Sequence, residues 1–204
     1  MKKIVMKKIE EELKKMSLTV TAPNVSALID RALAENLVDV AYVTVDSPVG
    51  PLLAASTPKG LVTLAYTEGR TDDVLERLSE RISPRVIEAP ERLDDVRRQL
   101  DEYFEGRRTD FDLDIDWQLS RGFARKILRA AARIPYGSLL TYRDIARKAG
   151  NERASRAAGN ALGSNSIPIV VPCHRVVRTG GGLGGYTGGL SKKEFLLGLE
   201  GALS

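Results

Sequence analysis

The sequence has little cysteine and little histidine: its 204 residues include one of each. A single thiol cannot form an internal disulfide, and one Cys with one His cannot complete the four-ligand shell of a structural zinc ion. No run approaches the roughly 18 apolar residues that a membrane helix needs, and no apolar segment of a secretion signal follows the basic N-terminus. We therefore expect a cytoplasmic protein in a reducing compartment, without a metal, a cofactor or a membrane partner.

Charge is abundant but unevenly distributed, within a composition of 43% hydrophobic and 28% charged residues that is typical of globular proteins. The formal net charge is +4. Residues 68–117 hold 16 acidic and 9 basic side chains, whereas residues 121–160 hold eight Arg and two Lys against Asp144 and Glu152. A basic block of this density favours a surface that faces a polyanion. On charge alone, Arg-rich helix faces that are merely solvated are the alternative.

Residues 1–16 differ in composition from the rest of the chain. They hold all three Met and six Lys, but no Arg. Met6, Ile9, Leu13 and Met16 are spaced three, four and three residues apart, which predicts a short amphipathic helix. We interpret this segment as an appended sequence or a small association helix and assign it no function.

Residues 17–115 predict an N-terminal α/β domain, in which a small sheet is covered by helices. A helix is predicted from Asn24 or Ser26 to about Leu37. β-Branched runs separated by Pro/Gly turns then predict three strands, and apolar residues at helical spacing predict two helices. The strands are 40–45, 52–56 and 61–66, and the helices are about 71–82 and 93–104.

Residues 119–204 predict a second, mostly helical domain. The helical patterns, with their capping residues, are 123–131, about 141–149 (Ser138 or Thr141), 154–162 and 192–199 (Ser191). The second and third of these are short and basic and are joined by a glycine turn, which favours a helix-turn-helix that binds nucleic acid. An ordinary helical hairpin is the alternative.

The only cysteine, Cys173, follows an apolar run, 167–171, and precedes the only histidine, His174. A buried cysteine in such a run is often a small hydrophobic residue, but His174 and Arg175 bring positive potential that favours the nucleophilic thiolate. Side chains of neighbouring residues point to opposite faces of an extended chain. If His174 is the base, a bent backbone or an intervening water must relay the proton; a packed, hydrogen-bonded imidazole is the alternative.

Six motifs of the chain stand in the order and spacing of a known family. They are Ile134-Pro135-Tyr136-Gly137, Thr141-Tyr142, Arg156-Ala157-Ala158-Gly159, Asn165, Pro172-Cys173-His174-Arg175-Val176 and Gly185-Tyr186-Thr187-Gly188-Gly189. Over about residues 40–200 the sequence resembles the methylated-DNA–protein-cysteine S-methyltransferases, the O6-alkylguanine-DNA alkyltransferases. The resemblance implies an α/β fold: a small ribonuclease-H-like N-terminal domain followed by a C-terminal winged-helix alkyltransferase domain.

The resemblance also implies a reaction and a partner. The partner is duplex DNA that contains an alkylated guanine, and the protein acts as a monomer without a cofactor. The thiolate of Cys173 attacks the alkyl carbon on O6 of a guanine that has been flipped out of the duplex, and guanine is restored. The product is a thioether that water does not hydrolyse, so each molecule of this DNA repair protein acts once.

Residue roles follow from the matching positions. Cys173 corresponds to the alkyl acceptor, His174 to the base that acts through a water, and Glu194 to the carboxylate that orients this histidine. Tyr142 corresponds to the tyrosine that crowds the target phosphate and can donate a proton to guanine, and Asn165 to the hinge before the active-site strand.

The resemblance assigns further residues to DNA and to the alkylguanine pocket. Arg156 corresponds to the finger that fills the stack where the base has left. The other DNA-binding residues are Tyr142, Asn151, Ala154, Ser155, Ala157 and Gly159. The pocket walls are Val176, Tyr186, Thr187 and Gly188. Tight packing of helices is the alternative explanation for the small residues.

One departure and one alternative function accompany the resemblance. Ser166 replaces the proline that usually follows the hinge Asn165, although the spacing to Cys173 is kept. The alternative function is an engineered self-labelling tag on the same scaffold that reacts with benzylguanine derivatives, which residues 1–16 suggest. A DNA-binding module without chemistry is disfavoured because it would need no thiol.

Overall fold

The structure, a computed structural model, describes residues 37–203 together with Arg31 and Glu35. The helix predicted over residues 1–16 and the body of the helix predicted to end at Leu37 lie outside the described residues. From Asp39 onward, the two predicted domains pack into one compact unit.

A four-stranded sheet forms the core of the N-terminal domain. Its strands are β1 (Val40–Val45), β2 (Leu52–Thr57), β3 (Gly60–Tyr66) and β4 (Val86–Glu88), in the order β3-β2-β1-β4. β1 pairs antiparallel with β2, β2 antiparallel with β3, and β1 parallel with β4. The first three strands confirm the prediction from β-branched runs, whereas β4 has only three residues and its sequence signal is too short to detect.

The N-terminal domain also contains two helices: α1 (Thr71–Arg81) and α2 (Asp94–Phe104). α1 buries Val74 and Leu78 against Val40, Leu53 and Val62 of the sheet. Each such side chain contributes about 1.5–3 kcal/mol by leaving water. The sheet and its helices therefore provide a rigid platform beside the C-terminal domain.

The C-terminal domain contains four helices and a two-stranded parallel pair. The elements are α3 (Gly122–Ala131), β5 (Leu140–Thr141), α4 (Tyr142–Lys148), α5 (Ser155–Gly163), β6 (Val176–Val177) and α6 (Leu190–Leu199). Thr141 caps α4 in a capping box, since its side chain accepts from Asp144 N while the Asp144 carboxylate accepts from Thr141 N. α4 and α5 pack against each other and against α3, which places the predicted helix-turn-helix on the helical core.

The apolar run at residues 167–171 forms turns and bends, because Pro168 has no N–H to donate and Ile169 adopts a φ of 74°. One local prediction in this domain is wrong. Ser191 does not cap α6: the helix begins at Leu190 after Gly189, whose φ of 91° suits glycine.

The two domains are joined by hydrogen bonds between their backbones and between their side chains. Leu64 N of β3 donates to Ser166 O at 2.8 Å, next to the predicted hinge. Ser166, where the resemblance expects proline, therefore contributes its carbonyl to the domain contact. Further links involve Tyr66, Glu68 and Tyr103, and those made by Tyr66 and Tyr103 reach the candidate site itself.

Candidate active site

Cys173 borders a cavity of about 410 Å³ in the C-terminal domain. The cavity is lined by Tyr142, Gly159, Leu162, Gly163, Cys173, Arg178, Gly185, Tyr186 and Thr187. These residues come from the start of α4, the end of α5, the turn that holds the thiol and the loop before α6. Although Cys173 is only 4% exposed, its position on the cavity wall gives a ligand a route to the sulfur.

Asn165 fixes the thiol and the turn that carries it. Its side-chain NH₂ donates to Cys173 Sγ at 3.1 Å and to Val171 O at 2.9 Å, and its Oδ1 accepts from Ile167 N at 3.1 Å. Burial raises the pKa of the Cys173 thiol to about 11, against the opposing effect of the Asn165 hydrogen bond. The thiol is therefore protonated at neutral pH and needs a base.

His174 is adjacent to Cys173 in a short 3₁₀ turn, Cys173–Arg175, so the backbone is bent there rather than extended. The imidazole is fully buried and its Nε2 lies 2.8 Å from Glu200 Oε1. Burial lowers the pKa of His174 and so favours the neutral ring, against the opposing effect of Glu200. With Nε2–H donating to the carboxylate, Nδ1 carries the lone pair, and within the described residues it has no hydrogen-bond partner.

The carboxylate on His174 is that of Glu200, so the assignment of Glu194 to this role is wrong. Glu194 is exposed on α6, whereas Glu200 is 5% exposed. The buried residues Lys193, Leu196, Leu197 and Glu200 are spaced at i, i+3, i+4 and i+7. This periodicity, which is visible in the sequence, places Glu200 on the inner face of the helix.

Glu200 is surrounded by donors. Arg175 Nε and Nη2 donate to its two oxygens at 2.8 and 2.9 Å, and the Tyr103 hydroxyl donates to Oε1 at 2.6 Å. Burial alone would raise the pKa of Glu200, but the hydrogen bonds from His174, Arg175 and Tyr103 lower it to about 2. The group is thus a carboxylate at physiological pH. The sequence did not point to Tyr103, and it indicated Arg175 only as a positive charge near the thiol, not as a partner of Glu200.

Tyr142 stands on the opposite side of the cavity, at the first position of α4. Its hydroxyl donates to Gly185 O at 3.5 Å. A Cβ at Gly184, whose φ is 73°, would lie 2.6 Å from this hydroxyl oxygen, so only glycine fits there. The glycine-rich loop therefore allows close approach to a side chain of the site.

The residues predicted to bind DNA lie on and before α5. Arg156 and Ala157 are exposed, and Ala154, Ser155 and Gly159 are half-buried. Asn151 is exposed, and its side chain accepts from Arg153 N at 3.2 Å, which caps the turn before α5. The inner face of α5 carries Ala158 and Ala161, both buried, so these two small residues serve helix packing.

Two of the four residues predicted to form the pocket walls line this cavity. Tyr186 and Thr187 line the cavity, but Val176 and Gly188 do not. Val176 is fully buried in β6, where its carbonyl accepts from Lys193 Nζ at 2.6 Å. Gly188 faces Tyr66 instead, since a Cβ there would lie 2.6 Å from Tyr66 Cε2. Leu162, Gly163, Arg178 and Gly185 complete the lining and were not predicted.

The N-terminal domain also holds the loop that closes the cavity. The hydroxyls of Tyr66, at the end of β3, and Tyr186 are 2.8 Å apart. The Tyr186 ring meets His174 edge-on, with centroids 6.2 Å apart at 89°, and Lys192 forms an ion pair with Glu68 beside this contact. Tyr66 thus fixes the loop through Tyr186, while Tyr103 fixes the base through Glu200.

A candidate metal cluster and a membrane-spanning helix are both absent from the described part of the chain. Across residues 37–203, no three His, Cys, Asp or Glu side chains come together as a candidate metal site. None of the helices in that part of the chain has the length and apolar character required to cross a bilayer.

A helix-turn-helix beside a cysteine, a histidine and a buried carboxylate is the arrangement expected of a transferase that acts on nucleic acid through its own thiol. Two family models match the chain: the ribonuclease-like domain of 6-O-methylguanine DNA methyltransferase over residues 40–117 and the DNA-binding domain of the same family over residues 122–202. The chain belongs to the methylated-DNA–protein-cysteine methyltransferase family, which confirms the predicted family, fold class and enzyme class.

Individual relatives agree with this assignment. The methylated-DNA–protein-cysteine methyltransferase of Methanosarcina barkeri is 40% identical over 159 residues, 78% of this chain and 96% of the relative. The crystal structure of Mycobacterium tuberculosis O6-methylguanine methyltransferase is 36% identical with a TM-score of 0.69, covering 81% of this chain and 94% of that one. That of M. tuberculosis OGT in complex with DNA is 38% identical with a TM-score of 0.67, covering 78% and 92%. These matches lend no support to the self-labelling-tag alternative.

Proposed function

We propose that this protein repairs DNA by direct reversal, transferring an alkyl group irreversibly from O6 of guanine in duplex DNA to Cys173. The observation that carries the proposal is the position of Cys173 on the wall of a cavity of about 410 Å³, next to a histidine that is held by a buried carboxylate. A flipped purine base with its alkyl group requires such a recess, because the target atom is inaccessible inside the stacked duplex.

His174 acts as the base for the thiol. Its Nδ1 takes the Cys173 proton through a bridging water, because Nδ1 has no hydrogen-bond partner among the described residues and so makes no direct hydrogen bond to Cys173 Sγ. Glu200 then stabilises the imidazolium through the hydrogen bond to Nε2, as the carboxylate of a catalytic triad does. Arg175 and Tyr103 keep Glu200 ionised and fixed in position for this step.

The chemical step is a displacement at the alkyl carbon. The thiolate sulfur forms the new S–C bond while the C–O6 bond breaks. The electron pair of the broken C–O6 bond stays on O6 of the guanine. The guanine regains a proton, and the hydroxyl of Tyr142, which lines the cavity, serves as its donor. The product is a thioether without an acyl carbon for water to attack, so the thiol is not regenerated and the protein turns over once.

Recognition of duplex DNA is assigned to the basic face of α4 and α5. Arg156 enters the stack in place of the extruded base, and the small residues Ala157 and Gly159 allow the helix to approach the groove. Tyr142 crowds the phosphate of the target nucleotide and assists its rotation. The M. tuberculosis relative solved with DNA supports this choice of partner. We further propose that a monomer suffices, since all the proposed catalytic groups come from one chain.

Mass mapping after incubation with a duplex that contains O6-methylguanine tests the proposal. We expect the peptide with Cys173 to gain about 14 Da, the mass of one CH₂, with roughly one adduct per chain because there is one thiol. The same duplex with unmodified guanine is the control. An unmodified Cys173 peptide after complete exposure to the alkylated duplex would refute the function.

A further inference from the structure

Arg178 is the only charged side chain among the described residues that line the Cys173 cavity. It directly follows β6 and opens the loop that carries Tyr186 and Thr187, and it is exposed. The side-chain ion pairs of the C-terminal domain engage Arg143, Arg147, Arg175 and Lys192. Arg178 takes part in none of them within residues 37–203, so its charge is not neutralised by a described acidic residue.

The backbone of Arg178 is held in a defined turn. Arg178 N donates to Gly182 O at 2.7 Å, and Gly181 N donates to Arg178 O at 3.2 Å. A Cβ on Gly182 would lie 3.7 Å from Arg178 Cδ, so the aliphatic part of the side chain runs close to that glycine. The Arg178 side chain therefore starts from a fixed backbone position on the rim of the cavity, and its terminal guanidinium can contact a ligand.

Arg178 is exposed whereas Cys173 is only 4% exposed, so the guanidinium lies nearer the solvent-facing mouth of the cavity than the sulfur does. Burial raises the pKa of Tyr142, and the positive charge of Arg178 opposes that rise, so the guanidinium lies within electrostatic range of the phenol. The cation that acts on Cys173 is instead Lys193. An anion that meets Arg178 is therefore one that stays beside Tyr142 while the base goes further in.

We propose that Arg178 binds a phosphate of the extruded nucleotide and holds the DNA backbone at the cavity mouth while the base reaches Cys173. The inference rests on the proposed function and adds to it a specific contact. The guanidinium matches the phosphate because it offers two parallel donors to two oxygens. A carboxylate on the alkyl adduct would have the same anionic chemistry, but that group must travel to the buried sulfur, whereas Arg178 is exposed.

The test compares three proteins: Arg178→Gln, Arg178→Lys and the control Arg92→Gln, which removes the same charge from an exposed turn of the N-terminal domain. The second-order rate constant of alkyl transfer is measured with an O6-methylguanine duplex and with free O6-benzylguanine. We expect Arg178→Gln to lower the ratio of duplex rate to free-base rate about tenfold, as the loss of a hydrogen bond to a charged group predicts. Arg178→Lys should recover part of this loss, and Arg92→Gln should match the unmodified protein.

Salt and a second adduct identify the anion. One lost phosphate contact should reduce the slope of log rate against log salt by about 0.9 for Arg178→Gln. An unchanged slope, or equal losses on the duplex and the free base, would overturn the phosphate contact. A loss confined to duplexes with O6-carboxymethylguanine would assign Arg178 to the adduct and would likewise overturn it. If the unmodified protein transfers no methyl group at all, the proposed function fails, which is a different result.

Discussion

The interior of the site and its rim use the same residue type in opposite ways. Arg175 is 4% exposed and donates to both oxygens of Glu200, whereas Arg156 and Arg178, both exposed, lie on the outer surface near the cavity. Buried charges need partners because the interior does not solvate them, and exposed charges are available to bind phosphates. In the proposed mechanism the interior prepares the chemistry and the rim binds the DNA, so substitutions in the two regions should have separable effects.

Cys173→Ala should have the largest effect, because it removes the acceptor atom itself. We expect no alkyl transfer to either the duplex or free benzylguanine, while affinity for duplex DNA stays near normal since the rim is intact. Gel-based transfer of a labelled alkyl group and a DNA-binding titration measure the two properties. Residual transfer would contradict the assignment of the nucleophile.

Glu200→Gln should have the next largest effect, and Glu194→Gln is its matched control on the same helix. Loss of the carboxylate leaves Arg175 and His174 without their buried partner, which should cost about 3 kcal/mol or more of the free energy of unfolding. The transfer rate should fall about 100-fold on the duplex and on free benzylguanine alike, because His174 loses the carboxylate that supports it as general base. Urea unfolding and single-turnover rates provide the readouts. If the Glu194 variant is equally impaired, the position of Glu200 in the relay is wrong.

Arg156→Ala should affect the rim alone. Only the duplex requires the extruded state to be held open, so the duplex rate should fall about tenfold, an effect of about 1.4 kcal/mol. The rate with free benzylguanine should change much less. Measured side by side, these two rates separate insertion into the stack from damage to the interior, and equal losses would remove the wedge role.

The smallest expected effect is the dependence on pH. The lowered pKa of His174 keeps the base neutral at pH 7, so the transfer rate should fall only when the pH drops below the ordinary histidine pKa of about 6.5. Stability should fall in the same direction, because the unfolded chain binds more protons at a histidine whose folded pKa is lowered. Rates and unfolding curves between about pH 5 and 8 would show this, and a rate that rises towards acid would contradict a neutral base.

Sequence patterns predicted the elements that have strong local signals. β1 to β3 were predicted because their β-branched runs are separated by Pro/Gly turns, and α4 because a capping residue, Ser138 or Thr141, precedes its apolar positions. The structure selects Thr141, which forms a capping box with Asp144. Gly189, rather than Ser191, precedes α6 because the loop geometry decides the start of that helix.

The site required tertiary information in addition. Cys173, His174, Asn165 and Tyr142 do come together, yet Tyr66 and Tyr103 reach the site from another domain, and no local pattern reveals such contacts. The sequence could have predicted that Glu200 is buried, because its spacing from Leu196 and Leu197 places it on the inner side of α6.

The hydroxyl of Tyr103, seated on Glu200, has a consequence for how the molecule can be divided. The fragment that contains every predicted catalytic side chain would, if produced alone, leave the Glu200 carboxylate with one donor fewer and with a face of its helix open to water. The domain that holds no reacting atom therefore acts as a scaffold for proton transfer. If evolution or engineering exchanges one domain, the contact between the Tyr103 hydroxyl and Glu200 must be preserved. Otherwise Glu200, and with it the His174 imidazole, is held less firmly in the remaining domain.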